Sequence, residues 1–149
     1  MIALIQRVTI ASVTVSDVQV ATIGTGMLAL IGVEKYDTEA AADKLASRLR
    51  TYRIFPDDTG RMNLDLIAAG GELLLVPQFT LVADTGKGRR PGFSHAASPD
   101  QASVLFDYLA GKLRPAVTRL ELGQFGADMQ VALINDGPVT FWLQEGADT

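Results

Sequence analysis

The sequence predicts a single α+β domain, residues 1–149, in which a curved, antiparallel-rich and barrel-like sheet packs with two main helices. A length of 149 residues suits one domain that buries a sizeable core. Short apolar runs rich in β-branched residues recur between turn residues along most of the chain. Only two segments combine helical apolar spacing with a helix start signal.

The strands are predicted from apolar runs bounded by turn residues such as Ser16-Asp17. A continuous apolar run over residues 27–33 is typical of a strand buried on both faces. Pro77 lies inside another run and cannot donate to a strand ladder, so pairing is expected to stop or bulge there and open into a pocket. The expected strands are 2–8, 10–15, 18–23, 27–33, 52–55, 72–79, 117–122, 129–135 and 139–144.

Two amphipathic helices are predicted from their caps and apolar spacing. The first covers residues 39–50, with Thr38 as N-cap. The second is capped by Ser98, has Pro99 at its first position and must end before the next proline. Between them, residues 80–97 are expected to form a long loop, a feature that is commonly functional. The inner face of the second helix is expected to carry Val104, Leu105, Tyr108, Leu109 and Leu113.

The segment Asn135-Asp136-Gly137-Pro138-Val139-Thr140 interrupts the last strand run. Glycine tolerates backbone angles that other residues avoid, and proline fixes its own φ and lacks an N–H donor. A Gly-Pro bond is also among the few peptide bonds with a realistic chance of being cis. Taken alone, the hexapeptide is most simply a hairpin turn. The alternative is a rigid corner that presents its carbonyls in one direction.

The composition excludes several classes of function. With no cysteine, the chain cannot form disulfides, thiolate nucleophiles or zinc–thiolate sites. No apolar stretch reaches the ~20 residues that span a bilayer, and no secretory signal is apparent, so a cytoplasmic protein without a membrane partner is expected. The net charge of −4 argues against general affinity for nucleic acids.

Residues 85–92 are nevertheless locally basic, with Lys87, Arg89 and Arg90 among glycines. If RNA binds, this loop is the obvious place to hold it, although such a loop is more often a solvated, flexible surface segment. Arg7 follows an apolar strand run and is a second possible contact for phosphate or sugar. A strand-end ion pair would explain Arg7 as well.

Conventional catalytic groups are not evident in the sequence. A threonine nucleophile typically uses its own N-terminal amine, and Thr80 is internal. The single histidine, His95, has no obvious carboxylate partner, so a surface histidine is the simpler interpretation. No histidine pair or carboxylate cluster indicates a metal site, and no phosphate-loop pattern indicates a nucleotide. We therefore expect neither a metal nor a cofactor.

Two segments together resemble the signature motifs of the D-aminoacyl-tRNA deacylases: Leu73-Leu74-Leu75-Val76-Pro77-Gln78-Phe79-Thr80-Leu81 and Asn135-Asp136-Gly137-Pro138-Val139-Thr140. The resemblance continues in order along nearly the whole chain. One departure is Pro77, where the family usually has serine. The further matching segments are Met1-Ile2-Ala3-Leu4-Ile5-Gln6-Arg7-Val8, Gly32-Val33-Glu34-Lys35, Tyr52-Arg53-Ile54-Phe55, Met62-Asn63-Leu64 and Phe125-Gly126-Ala127-Asp128-Met129-Gln130.

The resemblance implies an esterase that releases D-amino acids from tRNA and acts as a homodimer. Gly137 and Pro138 match the family's Gly-cisPro corner, which enters the partner subunit's site, captures the substrate α-amino group and excludes L side chains. Gln78, Phe79 and Thr80 match the opposite, catalytic wall, with the Phe79 and Thr80 amides near the scissile carbonyl.

The remaining substrate-binding residues are Phe125 and Met129, which the resemblance implies around the adenine, and Arg7, the possible phosphate or sugar contact named above. The catalysis implied is RNA-assisted. Positioning can contribute roughly 7–11 kcal/mol and one oxyanion donor about 3, which suffices for a labile ester without a side-chain base. Glycine has no side chain to exclude, so glycyl-tRNA is expected to be hydrolysed too. Activity is expected to survive Pro77, because the matched roles do not need the serine hydroxyl.

Two other classes of function stay open on sequence grounds. One is a dimeric nucleic-acid-binding module, since relatives of this fold occur in DNA-associated proteins; the acidic pI near 4.9 argues against it. The other is a non-enzymatic binder of small ligands that uses the same pocket. Deacylation of D-Tyr-tRNA and L-Tyr-tRNA separates these classes.

Overall fold

The computed structural model describes residues 1–146 of the chain. It contains a six-stranded sheet, a separate two-stranded sheet and two α-helices. In chain order the elements are β1 (Ile2–Val15), β2 (Val18–Ile23), β3 (Gly26–Gly32), α1 (Glu39–Thr51), β4 (Phe55–Pro56), β5 (Met62–Leu64), β6 (Glu72–Pro77), a 3₁₀ turn (Phe79–Val82), α2 (Pro99–Leu113), β7 (Leu120–Leu122) and β8 (Gln130–Gln144).

The long strand β1 is the centre of the main sheet. Its first half pairs antiparallel with β3, its second half with β2, and its other edge with β8 along almost its whole length. Parallel pairing then joins β3 to β6 and β6 to β7. Because β2 also lies against β6 and β7, the sheet curls toward a barrel. The predicted α+β class with a curved sheet and two helices is confirmed.

The core lies on both faces of the sheet. Leu73 and Leu75 of β6 pack into the cluster covered by α1 and α2, whereas Leu74 and Val76 belong to a second cluster on the opposite face. Side chains alternate across a strand, so only a continuous apolar run can fill both clusters. Each such buried leucine stabilises the fold by roughly 1.5–3 kcal/mol.

Both helix starts are confirmed. The Thr38 hydroxyl accepts a hydrogen bond from the Ala41 N–H at 3.4 Å, and the Ser98 hydroxyl accepts one from the Gln101 N–H at 3.2 Å. The inner face of α2 is predicted correctly except at Val104, which is 66% exposed. The buried stripe of this helix instead includes Ala102, Phe106 and Ala110 beside the predicted leucines. The buried residues of α2 are Ala102, Leu105, Phe106, Leu109, Ala110 and Leu113.

Several predicted strand boundaries are wrong. The strand expected over 52–55 shrinks to β4, because Tyr52 instead caps α1 by donating its N–H to the Arg48 carbonyl at 2.8 Å. The predicted strands 2–8 and 10–15 form one continuous strand, and the run 117–122 pairs only as β7. The strand over 72–79 ends at Pro77, as expected for a residue without an N–H, and the predicted loop begins with the 3₁₀ turn.

The hairpin interpretation of Gly137-Pro138 is wrong. β8 pairs with β1 on both sides of this dipeptide, so the chain keeps its direction through it. Val8 lies opposite Asn135 and Gln6 lies opposite Thr140, which leaves four residues of β8 facing one residue of β1. Residues 136–139 are therefore pushed out of the ladder as a wide bulge, which makes a corner projecting from the strand.

Candidate active site

A cavity of about 810 Å³ lies beside the end of β6. Three stretches of chain form its walls: the end of β6 with the following turn, the segment leading into α2, and the segment before and at the start of β8. Most of the wall is apolar, with Gln78 as a polar group at one side. The lining residues are Val76, Pro77, Gln78, Phe79, Phe93, Ala96, Ala97, Ser98, Pro99, Ala102, Phe125, Gly126, Ala127, Met129 and Val131.

The turn after Pro77 shapes one wall of the cavity. The Gln78 N–H donates to the Ile31 carbonyl at 2.7 Å as the last bond toward β3. The chain then turns, and the Leu81 N–H donates to the Gln78 carbonyl at 3.2 Å. The first N–H groups of a helical turn have no partner within it. Among the described residues, the N–H groups of Phe79 and Thr80 have no hydrogen-bond partner, so both are available to a ligand.

The side chains of this wall are also ordered. Gln78 donates from its amide nitrogen to the Thr80 hydroxyl, which fixes the two groups relative to each other. Phe79 is 62% exposed, and its ring contacts that of Phe93 with centroids 5.1 Å apart. An exposed aromatic pair beside an apolar cavity is a typical binding feature, because flat rings offer contact area at low entropic cost.

The far side of the cavity joins the core. Phe125 packs against the buried Phe106 of α2, with ring centroids 6.4 Å apart. Met129 lies beside it, and its sulfur accepts the Gln124 N–H at 3.3 Å. Of the residues predicted for the site, the cavity brings together Gln78, Phe79, Phe125 and Met129, with Thr80 adjacent in the turn.

The Gly137–Pro138 corner has a cis peptide bond and a positive φ of 137° at Gly137. A side chain at Gly137 would meet the Val139 side chain at 2.6 Å, so glycine is required there on both backbone and steric grounds. Asn135 closes the bulge from within, because its side-chain oxygen accepts the Val139 N–H at 2.7 Å. Its side-chain nitrogen donates to the Thr140 hydroxyl at 2.8 Å.

Arg7 holds the corner from β1. Its Nε donates to the Asp136 carbonyl at 3.0 Å, and its Nη1 donates to the Ile54 carbonyl at 2.8 Å. The guanidinium also lies 3.5 Å from the Asp136 carboxylate, which is the ion pair that sequence reasoning left open. Because the side chain of Arg7 is only 13% exposed, this fork is a largely buried clamp on the main chain.

Within one chain, the corner and the cavity are separate. Gly137 and Pro138 are exposed and do not line the cavity. Val131 is the last cavity residue on β8, and six residues of strand, roughly 20 Å, separate it from Gly137. A site that uses both features therefore needs two copies of the chain.

The remaining candidate features from the sequence are His95, metal ligands and a membrane-spanning helix. His95 is exposed, as the simpler interpretation predicted, and within residues 1–146 its side chain has no hydrogen bond to Thr80 or to a carboxylate. Across the described residues, no three histidine, cysteine or acidic side chains lie close enough to hold a metal ion. In that same part of the chain, no helix has the length and apolar character to cross a bilayer.

Sequence reasoning missed one wall of the cavity. Residues 93–99 form it; residues 93–97 were expected as the end of a long loop and Ser98-Pro99 as a helix start, and none of them was assigned to the site. The available signal was Phe93, a large aromatic residue inside a loop rich in glycine and charge. Such a residue has no core position to fill, so a binding surface is a natural place for it.

The chain is similar to known proteins over nearly its whole length. The family model described as D-Tyr-tRNA(Tyr) deacylase matches residues 4–144. The chain belongs to the D-Tyr-tRNA(Tyr) deacylase family. It is 57% identical over 144 residues to the D-aminoacyl-tRNA deacylase of Enterobacter sp. (strain 638), covering 97% of this chain and 99% of the relative. The family resemblance seen in the sequence motifs is thereby confirmed.

Two solved structures share the fold of this chain. The structure of the c-Myc DNA Unwinding Element Binding Protein superposes with a TM-score of 0.94 at 36% identity, covering 99% of this chain and 100% of the other. A structure titled as that of a probable eukaryotic D-amino acid tRNA deacylase has a TM-score of 0.85 at 18% identity, covering 95% and 97%. The second likeness concerns the fold alone.

Proposed function

We propose that this chain is a D-aminoacyl-tRNA deacylase, a hydrolase whose whole length, residues 1–149, forms one catalytic domain. It cleaves the ester between a D-amino acid and the ribose of tRNA and releases both. The observation that carries the proposal is the pair of unbonded Phe79 and Thr80 N–H groups at an apolar cavity in a member of this family.

The two N–H groups suit the chemistry of an activated ester. Water attacks the ester carbonyl and the carbonyl oxygen becomes an oxyanion. The bond to the ribose oxygen then breaks, and the proton given up by the water passes to that oxygen. Two backbone donors aimed at that oxygen stabilise the charge, and one such donor contributes about 3 kcal/mol. Gln78 and Thr80 keep this wall in place through their mutual hydrogen bond. The ribose 2′-hydroxyl assists, so the protein needs no side-chain base.

The cavity accepts the nucleoside end of the substrate. Phe125 and Met129 supply an apolar wall of the size that an adenine needs, and the exposed Phe79 and Phe93 rings close the mouth. In this arrangement the scissile carbonyl lies between the adenosine and the Phe79–Thr80 amides.

Chiral selection comes from the corner. Gly137 and Pro138 of one protomer enter the partner's cavity, where their carbonyls accept hydrogen bonds from the substrate α-ammonium. Their main chain fills the space that an L side chain needs. Arg7 contributes to substrate binding by clamping this main chain. A rigid main-chain wall excludes any side chain that points toward it. Glycine offers nothing to reject, so glycyl-tRNA is cleaved as well.

A homodimer is supported by the exposed side of the sheet. Ile10 and Ile134 lie directly opposite each other on β1 and β8 and are 49% and 59% exposed, and Trp142 on β8 is 51% exposed. Among the described residues, no strand pairs with the second edge of β8. A second copy covering these groups would bury apolar area, and large exposed apolar groups near an open edge commonly mark an interface.

The activity is tested by following deacylation of D-Tyr-tRNA, L-Tyr-tRNA and Gly-tRNA. The D and glycyl esters should be cleaved well above the buffer rate, and the L ester should not. The variant Phe79→Pro removes one N–H at the first position of the turn, where proline is tolerated, and should slow kcat about 10²-fold or more. Phe79→Leu keeps the N–H and serves as its control. Cleavage no faster than in buffer would overturn the proposal.

The shared site is tested with mixed dimers. Gly137→Ala disrupts the corner, and Phe79→Pro disrupts the wall, so each pure variant should be nearly inactive. In a mixed dimer, one site combines an intact wall with the partner's intact corner. Random exchange in a two-fold dimer should therefore restore about a quarter of the wild-type rate. If mixing restores nothing while exchange is demonstrated, the corner does not act across the interface.

A second candidate function rests on the 36% identical solved structure, whose title names a DNA unwinding element binding protein. The net charge of −4 disfavours duplex DNA binding, because phosphate neutralisation needs clustered cations. The two functions separate in a duplex binding assay. Binding that falls steeply with salt, without any ester cleavage, would favour the DNA module.

A further inference from the structure

The basic loop, residues 85–91, connects two parts of the chain that form the cavity wall. Its two ends are joined by a pair of backbone hydrogen bonds, from the Asp84 N–H to the Gly92 carbonyl at 2.7 Å and from the Gly92 N–H to the Asp84 carbonyl at 3.0 Å. One end follows the turn that contains Phe79, and the other runs straight into Phe93. Since these two rings contact each other at the cavity mouth, the loop is anchored there.

The basic loop carries three cations whose side chains take no part in the described polar contacts of the fold. Lys87, Arg89 and Arg90 are all exposed. In the described part of the chain, none of the three forms an ion pair or a side-chain hydrogen bond. The one carboxylate at the neck, that of Asp84, accepts the Gly86 N–H at 2.9 Å. Three unpaired cations within four residues stand out on a chain of net charge −4.

The backbone of the loop favours close approach by a ligand. Gly88 has a φ of +67°, and no atom lies within 4 Å of the position where a side chain would begin. The main chain at Gly88 therefore presents little bulk, and exposed cations flank it on both sides. Arginine and lysine in such a setting match phosphate oxygens, arginine with its planar fork and lysine as a point charge.

We propose that Lys87, Arg89 and Arg90 bind the phosphate backbone of the tRNA acceptor end as it leaves the cavity. This inference rests on the proposed function, since it requires the terminal adenosine to occupy the cavity. The nucleotides before that adenosine must then pass the mouth, beside Phe79 and Phe93, where the basic loop begins. The loop supplies affinity for the RNA rather than chemistry at the ester, because phosphate contacts hold the backbone without reading or altering the bases.

The decisive experiment compares a long and a short substrate. The variant Lys87→Ala/Arg89→Ala/Arg90→Ala is assayed on D-Tyr-tRNA and on the D-tyrosyl ester of adenosine, which has no phosphate. For D-Tyr-tRNA we expect KM to rise about tenfold near 0.1 M salt with kcat unchanged, and the slope of log KM against log salt to fall by about 2 to 3. For the adenosine ester, both constants should equal those of the wild type.

The matched control removes the same charge elsewhere. Lys44→Ala/Lys112→Ala/Arg114→Ala changes three exposed cations, two of them at the end of α2 that lies about 20 Å from its cavity end. Its KM for D-Tyr-tRNA should stay at the wild-type value, and melting curves of both variants establish that they are folded.

The two proposals fail in different ways. If the loop variant has the same KM for D-Tyr-tRNA as the control variant, the loop does not bind tRNA phosphates. The same conclusion holds if its KM for the adenosine ester rises as much as its KM for D-Tyr-tRNA. If the wild-type protein cleaves neither substrate, the proposed function itself is wrong.

Discussion

Replacing Arg7 by alanine should both destabilise the fold and loosen the Gly137–Pro138 corner. Among residues 1–146, Arg7 is the one side chain that ties this corner to a distant part of the main chain, through the carbonyls of Asp136 and Ile54 at 3.0 and 2.8 Å. The variant removes both donors and leaves a buried carbonyl at Ile54 without its partner.

The expected loss can be worked from these contacts. A hydrogen bond from a charged donor contributes about 1.5–3 kcal/mol. The Asp136 carbonyl lies in a half-exposed bulge where water can replace the guanidinium, so its bond takes the low end of this range. The same low value for the buried Ile54 carbonyl gives a lower bound of about 3 kcal/mol in total. The ion pair to the Asp136 carboxylate, which is 48% exposed, adds little. For a chain of this size the melting temperature should fall by roughly 6–12 °C.

Arg7→Lys is the informative companion. Lysine keeps the positive charge but lacks the fork that reaches two carbonyls, so it should recover only part of the lost stability. Thermal unfolding and deacylation of D-Tyr-tRNA are measured for both variants. A corner displaced by about 1 Å should cost on the order of 10²-fold in kcat for Arg7→Ala. An Arg7→Ala protein with wild-type melting temperature and wild-type rate would refute the clamp.

Three further outcomes follow from the structure. Gly26→Ala should prevent folding, because the new carbon would lie 1.9 Å from the Glu72 carbonyl oxygen in the β3–β6 ladder. Gly111→Ala, at an open helical position, should instead raise the free energy of unfolding by about 0.5–1 kcal/mol. Denaturant unfolding measures both variants. Hydrogen bonds to the Asp57 carboxylate, chiefly from Thr59, lower its pKa from 3.8 to about 2, so its stabilising effect is complete above pH 3.8 and is lost as the pH falls toward 2. Stability of Asp57→Asn should accordingly change less than that of the wild type between pH 4 and 2, and parallel curves would contradict this. Pro77→Ser should leave kcat within a few-fold, because β6 already ends there and the Gln78 N–H still bonds to β3; restoration of an inactive wild type by serine would show that the hydroxyl is needed.

The parts of the fold that depend on neighbouring residues could be predicted well. Thr38 and Ser98 cap their helices as expected, since an N-cap acts on an N–H only three residues away. The end of β6 at Pro77 is likewise a local consequence of a missing N–H. The prediction of Tyr52 as a strand residue is wrong because α1 continues through Thr51 and uses Tyr52 to close its last turn.

The candidate site was predicted in its residues but not in its arrangement. Gln78, Phe79, Phe125 and Met129 share one cavity, whereas the segment around Phe93 that completes it was not expected. Phe79 and Phe125, 46 positions apart, meet there because β7 pairs parallel with β6 and leads directly into the segment that carries Phe125. Nothing local in either motif encodes that meeting.

The sequence by itself determined the fold class, the helix starts and the family, because these depend on local hydrogen bonds, on apolar periodicity and on motifs in fixed order. Tertiary structure alone decided that Gly137-Pro138 is a bulge and not a hairpin. Both forms use the same glycine and proline, and the choice depends on whether residues 130–144 find β1 on both sides of the dipeptide. The same long-range pairing brings Arg7 to the Asp136 carbonyl and leaves the corner facing outward, away from the cavity of its own chain.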